Sequence, residues 1–275
     1  MTIGIDIGGT NLSFGQVQDG RLKTMFSVPS FASDATQEQT MEYLVSNIRR
    51  IFTKDTEKIG IGVPSVVDVK KGIVYDTQNI PSWKEVHLKE YLEDVFKVPV
   101  AINNDANCYA MGVYAKYPAE DKPESLVVVT LGTGVGMGIV IDGKLYSGAN
   151  CGAGEVGCLP YRDSILEDYC SKKFFTGLGT DGKTISAKAK DGDPDALLVY
   201  DEFGKHMGFL ICSVLYAYDP SHIALGGGVA NGYKYFCQSM EAFVKEHFPY
   251  TKTIEKLKVN IYTDNDIPVI GASLI

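Results

Sequence analysis

With 275 residues, 45% of them hydrophobic and 22% charged, the chain has the balance of one large or two medium folded domains, not of a disordered or fibrous polypeptide. A formal net charge of −8 with no basic run argues against an extended nucleic-acid footprint. No stretch approaches the roughly 18 apolar residues of a membrane span, and no basic leader follows Met1, so the expectation is a cytoplasmic protein without a membrane partner.

Ile3, Ile5 and Ile7 alternate with Gly4, Asp6 and Gly8, which predicts a strand ending in Gly8-Gly9-Thr10-Asn11. Leu12 to Gln18 alternates again up to an Asp19-Gly20 turn. Thr36-Gln37-Glu38-Gln39 reads as a capping box, and Met41, Leu44, Val45, Ile48 and Phe52 follow at helical spacing. A strand over Lys58 to Val63, a helix over Val86 to Phe96, a strand over Val98 to Asn103 and a helix over Asp105 to Tyr117 come next. Strands over Leu126 to Leu131 and Met137 to Ile141 flank Gly132-Thr133-Gly134 and end at Asp142-Gly143. Tyr161 to Asp193 has no clean period and reads as inserted loop and helix. Helices over Asp195 to Tyr218 and Tyr233 to Phe248, and strands over His222 to Leu225 and Lys258 to Thr263, complete the chain.

Sliding the sequence by 123 positions superposes Gly9 on Gly132, Thr10 on Thr133, Gly15 on Gly138, Val17 on Val140 and Asp19-Gly20 on Asp142-Gly143. Each half begins with a strand meander and continues with alternating helices and strands. The expected architecture is therefore α/β, two similar lobes with a cleft between them, residues 1–103 and 104–263, with 264–275 returning to the first.

Three glycine-rich turns follow apolar strands, at Gly8 to Asn11, Gly132 to Gly136 and Gly226 to Gly228. Without a Cβ, such backbone lets peptide N–H groups approach phosphate oxygens or a flat ring. Neither a Walker A sequence nor GxGxxG opening a helix occurs, which counts against P-loop and dinucleotide folds. Asp105 in Asn103-Asn104-Asp105-Ala106-Asn107 sits where a strand gives way to a helix. It can act as an N-cap, as a base for a substrate hydroxyl, or as both, with the helix N-terminus keeping it ionised. Glu155 supplies a further carboxylate in a flexible turn. Six scattered cysteines without a CxxC pair give neither a disulfide framework nor a zinc signature, and His87, His206, His222 and His247 are assigned to surface or packing.

Taken in order, Asp6-Ile7-Gly8-Gly9-Thr10-Asn11, Asn104-Asp105-Ala106-Asn107, Leu131-Gly132-Thr133-Gly134-Val135-Gly136, Gly152-Ala153-Gly154-Glu155-Val156-Gly157 and Gly226-Gly227-Gly228 resemble the ROK family of bacterial sugar kinases and sugar-responsive repressors, whose fold is that of the actin, hexokinase and Hsp70 superfamily. The likeness extends to Gly62-Val63-Pro64 and Gln78-Asn79-Ile80-Pro81-Ser82-Trp83. It implies a hexose kinase in which Asp105 is the base for the sugar's 6-hydroxyl and Asn79, Asn104, Asp105, Glu155 and Glu167 hold the hydroxyls. Gly8, Gly9, Thr10, Asn11, Gly132, Thr133 and Gly134 would cradle ATP phosphates, Gly226, Gly227 and Gly228 would border the adenosine, and Asp6 would lie near Mg²⁺.

Three departures from the family pattern concern the sugar side. Cys158 stands where the Glu-x-Gly-His motif has its histidine, Arg162-Asp163-Ser164-Ile165 replaces the cysteine cluster, and Ser65 follows Pro64 where glycine is common. No structural zinc is expected, and Cys158 and Ser65 are expected to line the pocket. The partners implied are a hexose, most directly glucose, and ATP, with a homodimer suggested by the resemblance. An N-acetylated hexosamine is the alternative substrate. A sugar-sensing regulator and an actin-like or chaperone-like ATPase are the alternatives of other classes.

Overall fold

Alternation of isoleucine with small or polar residues drives the first sheet. In the computed structural model, which describes all 275 residues, β1 (Thr2–Ile7) passes through the Gly8 turn into β2 (Asn11–Gln18) and back along β3 (Arg21–Pro29). Helix α1 (Gln37–Arg49) starts at the capping box: the Gln39 N–H donates to Thr36 Oγ1 at 3.2 Å and the Thr36 N–H to Gln39 Oε1 at 2.9 Å. β4 (Lys58–Val63) lies parallel to β1. A small antiparallel sheet that the sequence reading did not anticipate, β5 (Val66–Asp68), β6 (Ile73–Tyr75) and β7 (Glu85–Val86), precedes α2 (Leu88–Phe96). β8 (Val100–Asn104) then completes the sheet order β3-β2-β1-β4-β8. Its inward side chains, among them Ile3, Ile5, Ile59, Ile61 and Ile102, bury against α1 and α2.

The second half repeats this plan. α3 (Asp105–Lys116) leads to β9 (Ser125–Leu131), β10 (Val135–Ile141) and the short β11 (Lys144–Leu145). The region without clear period contains the hairpin β12 (Pro160–Tyr161) and β13 (Ser164–Ile165), then α4 (Leu166–Cys170), α5 (Lys172–Gly177) and α6 (Gly182–Lys190). α7 (Pro194–Tyr218), β14 (His222–Gly226), α8 (Tyr233–His247), α9 (Thr251–Lys256), β15 (Lys258–Tyr262) and α10 (Ile267–Leu274) follow. The sheet order β11-β10-β9-β14-β15 matches that of the first half strand for strand. The duplicated turns match in backbone as well: φ is 52° and 70° at Asp19-Gly20 and 50° and 73° at Asp142-Gly143, the left-handed pair that a two-residue hairpin turn requires.

α3 and α10 pack on each other between the two sheets. A Cβ on Gly4 or Gly60 would overlap the Val269 or Ala272 carbonyl of α10, and one on Gly271 would overlap the Cys108 carbonyl of α3. On the other side of α3, Gly136 and Gly138 make room for Ala106 and Ala110. The first turn of α3 is thus clamped from both sheets.

Residues 161–175 are held by an aromatic cluster in which Tyr161, Tyr169 and Phe174 surround the buried His206, with Tyr161 Oη and His206 Nδ1 3.1 Å apart. All six cysteines are free: Cys108, Cys151, Cys170 and Cys212 are buried, Cys237 is half-buried and Cys158 is exposed. No helix is long and apolar enough to cross a membrane.

Candidate functional site

The glycine turns and Asp105 all follow the C-terminal ends of strands: β1 runs into Gly8, β8 into Asp105, β9 into Gly132 and β14 into Gly227. This is the edge at which open α/β sheets gather ligands. α3 joins the two sets, since Ala106 packs where Gly136 has no side chain and the Tyr109 ring fills the space beside Gly226, whose Cβ would come within 2.6 Å of it.

The helix cap differs from expectation. Asn104 is the N-cap, its Oδ1 accepting the Ala106 N–H at 2.9 Å and the Asn107 N–H at 3.4 Å, while Asp105 occupies the first helical position and accepts the Ala106 N–H at 2.8 Å. Asn104 wins the cap because its backbone is still extended, φ −63° and ψ 147°, as a cap residue requires. Nor does the helix N-terminus hold Asp105 at an ordinary acidity. Burial pushes its pKa up to about 6 against the opposing pull of the Ala106 and Asp105 N–H groups, and Glu155 adds repulsion. Asp6 is pushed further, to about 7, by burial and by the Asp105 charge. Both residues are half-buried, with enough protein packed around their carboxylates for burial to be the main cause of each shift.

Ser65 donates its hydroxyl to the Tyr75 carbonyl and accepts the Asn104 side-chain amide on its own carbonyl at 3.4 Å. Asn79 is exposed and its side chain lies against Gly9, 3.5 Å from the position of a Cβ there. The N-terminal turn is tightened by the Gly8 N–H donating to the Asn11 carbonyl at 3.0 Å and by Ser30 Oγ donating to the Gly8 carbonyl at 2.8 Å, with Thr10 and Asn11 exposed. In the second turn the Gly132 N–H donates to the Gly134 carbonyl at 3.0 Å, Thr133 is exposed, and nothing occupies the space beside Gly132. Gly228 is likewise open, whereas Gly227, at φ 81°, abuts the Leu131 backbone.

Glu155 is exposed, and the Cys158 thiol donates to its Oε2 at 3.8 Å. Burial, Glu155 and Glu167 push the thiol's pKa up. Glu167 accepts the Val135 N–H at 2.9 Å on one carboxylate oxygen and the Lys173 ammonium at 2.7 Å on the other. Neighbouring charges and contacts chain these residues together: Asp6 feels Asp105, Asp105 feels Glu155, and Cys158 lies against Glu155 and feels Glu167, while Ser65 contacts Asn104 and Asn79 lies against Gly9. A separate groove on α1, lined by Phe31, Thr36, Gln39 and Tyr43, contains none of them.

Sequence reasoning missed Lys173, Tyr109 and a buried network. In that network Asn103 Oδ1 accepts from Asn107 Nδ2 at 2.9 Å and from the Cys151 thiol at 3.3 Å, tying α3 to the loop that carries Glu155. Tyr109 was legible, standing one helical turn after Asp105 on the same face. Lys173 had no signal in spacing.

Strand order, duplication and glycine turns at matching strand ends define a two-lobed α/β protein of the actin and hexokinase type. The chain belongs to the ROK family, whose model matches residues 2–275. It is 28% identical to a glucokinase of Halalkalibacterium halodurans, over 98% of this chain and 92% of the relative. It is 31% identical to an N-acetyl-D-glucosamine kinase of Aliivibrio salmonicida, over 84% and 85%. Among solved structures it is similar to a ROK family glucokinase of Streptomyces griseus in complex with glucose and AMPPNP, at a TM-score of 0.79 and 27% identity over 99% of this chain and 97% of that one.

Proposed function

We propose that this protein is an ATP-dependent sugar kinase that phosphorylates a hexose, glucose first, at its 6-hydroxyl. What supports the proposal is Asp105: a carboxylate fixed at the first position of α3, its Cα beside Gly62 of β4 and the next residue, Ala106, packed against Gly136 of β10, with its pKa pushed up to about 6 by burial. A base of that strength is largely ionised at neutral pH and still basic enough to take a proton from an attacking alcohol. Asn79, Asn104, Glu155 and Glu167 orient the sugar, with Ser65 and Cys158 shaping its pocket. Gly8 to Asn11 and Gly132 to Gly134 offer peptide N–H groups to the phosphates, and Gly226 to Gly228 border the nucleoside. Closure of a lobe formed by 1–103 with 264–275 on one formed by 104–263 excludes water from the transfer.

Asp6 suits a divalent cation shared with phosphates, since it is an oxygen donor without a cationic partner and the charge acting on it is that of the Asp105 carboxylate, and Mg²⁺ is commonly held by one or two carboxylates plus substrate phosphates. When bound, Mg²⁺ would neutralise charge developing on the transferred group.

A second reading, an N-acetylhexosamine kinase, is favoured by the 31% identity to the N-acetyl-D-glucosamine kinase. The test of both is a panel of glucose, mannose, N-acetylglucosamine and N-acetylmannosamine with MgATP, scored by coupled ADP release. Turnover highest with glucose supports the first reading and turnover highest with an N-acetylated sugar the second. Equal ADP release with and without any sugar overturns both.

A further inference from the structure

The peptide groups of the β9–β10 turn are not all free to meet a phosphate. The Val135 N–H already donates to Glu167 at 2.9 Å, and Gly134 lacks a side chain where a Cβ would overlap that same carboxylate. A negative charge therefore stands at the edge of a turn proposed to receive anions. Its other oxygen takes Lys173 Nζ at 2.7 Å, and Lys173 also reaches Asp168 Oδ1 at 3.3 Å. Asp6, Asp105 and Glu155 add to the negative potential, and none of these three has an ion-pair partner. Lys173 is the cation paired with a carboxylate of the cleft. Glu167 is 24% exposed and Lys173 45%, so the pair is partly screened yet close enough to the turn to bias an arriving anion.

Resting on the kinase reading, we propose that Lys173 is a positioning residue for the phosphoryl donor: by neutralising Glu167 it lets that carboxylate cap Val135 while a phosphate occupies the adjoining Gly132–Gly134 turn. Lys173 acts through Glu167 and touches no reacting atom. Without it, Glu167 faces the polyanionic tail uncompensated, and donor affinity falls while the rest of the sugar pocket is unchanged.

The test compares the parent protein with Lys173→Met, Lys173→Arg and the double variant Glu167→Gln/Lys173→Met. AMP-PNP binding is measured by calorimetry, and KM for MgATP and for sugar by coupled assay. Lys173→Met is expected to weaken AMP-PNP binding and raise KM for MgATP by about fivefold, with sugar KM within about twofold, and the gap should narrow in high salt. Lys173→Arg should keep parental donor affinity, and removing both charges in the double variant should restore AMP-PNP affinity measured by calorimetry without sugar, whatever the loss of the Glu167 charge does to sugar KM. Lys173→Gln serves as a second neutral variant should Lys173→Met fold poorly. Unchanged AMP-PNP affinity in the neutral variants, a double variant no better than Lys173→Met, or no AMP-PNP binding by the parent overturns the inference. A parent that binds AMP-PNP but phosphorylates no sugar overturns the kinase reading instead, and the binding comparison still decides the role of Lys173.

Discussion

Asp6 stands across Gly62 from Asp105: Asp6 pairs with Gly62 along β1 and β4, and a Cβ on Gly62 would lie 3.5 Å from the Asp105 Cα. The two carboxylates share a poorly solvated floor, which is why burial pushes one to about 7 and the other to about 6. A general base must be ionised, so kcat/KM for sugar phosphorylation is expected to rise with pH and level off above about 7, reporting the pair rather than either residue. Asp105→Asn should cut kcat by about a hundredfold or more while sugar affinity changes little. Parental turnover in that variant, or a flat parental profile from about pH 5 to 8, would remove Asp105 from the chemistry.

The same pair makes a claim about stability with a definite sign. Native values of about 7 and 6 lie above the ordinary 3.8, so the folded protein retains protons that the unfolded chain has already released. Their contribution is fully favourable below about pH 4 and is lost as pH rises through 6 and 7. Asp6→Asn removes the charge that burial disfavours. Its melting temperature should exceed the parent's at pH 8 by more than it does at pH 5, as read by scanning calorimetry. An equal offset at both would show that Asp6 does not titrate between them.

Glycines of two kinds are separable by mutation. A Cβ on Gly60 would overlap the Ala272 carbonyl and one on Gly271 the Cys108 carbonyl, so alanine at either must push α10 off the sheet or off α3. A loss of about 3 kcal/mol is expected from urea unfolding. Gly132 and Gly228 face open space, and alanine there should leave stability within about 0.5 kcal/mol. If these turns cradle the nucleotide, Gly132→Ala and Gly228→Ala should nonetheless raise KM for MgATP severalfold by fending off the phosphates and the base. Unchanged donor KM in both variants would detach these turns from nucleotide binding.

What was legible in the sequence was whatever repeats or alternates. Ile3, Ile5 and Ile7 announce β1 because one face of the strand packs large side chains against α1 and α2 while the other, at Gly4, must stay bare against α10, and the Asp-Gly turns announce the duplication because few dipeptides tolerate the left-handed pair. The sequence of α10 predicts only a returning segment, since Ile267 to Leu274 is apolar on nearly every side and carries no amphipathic period. The sequence reads Asp105 as a base, a cap or both, and the cap falls to Asn104 instead, because Asn104 and Asp105 are both good caps and only the backbone at the end of β8 decides between them. The Lys173–Glu167 pair lay beyond reach, since the packing of α4 and α5 against the β9–β10 turn, not sequence spacing, brings the two to Val135.

His206 provides an acid-sensitive point opposite in sign to the Asp6–Asp105 pair. Burial, with help from Arg162, lowers its pKa from 6.5 to about 4, Glu202 pulling weakly the other way. The unfolded chain therefore takes up the proton first, so His206's contribution to stability is intact above about pH 6.5 and disappears as pH falls toward 4. Because the two carboxylates gain stability over the same interval, the parental melting curve mixes both trends, and the difference between parent and variant is the informative quantity. His206→Gln keeps a polar partner for Tyr161 without an ionisable ring. Its melting temperature should fall less than the parent's between about pH 7 and 5. Since aromatic packing and the Tyr161–His206 hydrogen bond hold residues 161–175, prolonged dialysis against EDTA should leave the parental melting temperature where it was. A marked drop after chelation would mean that a metal ion, and not this cluster, orders the segment.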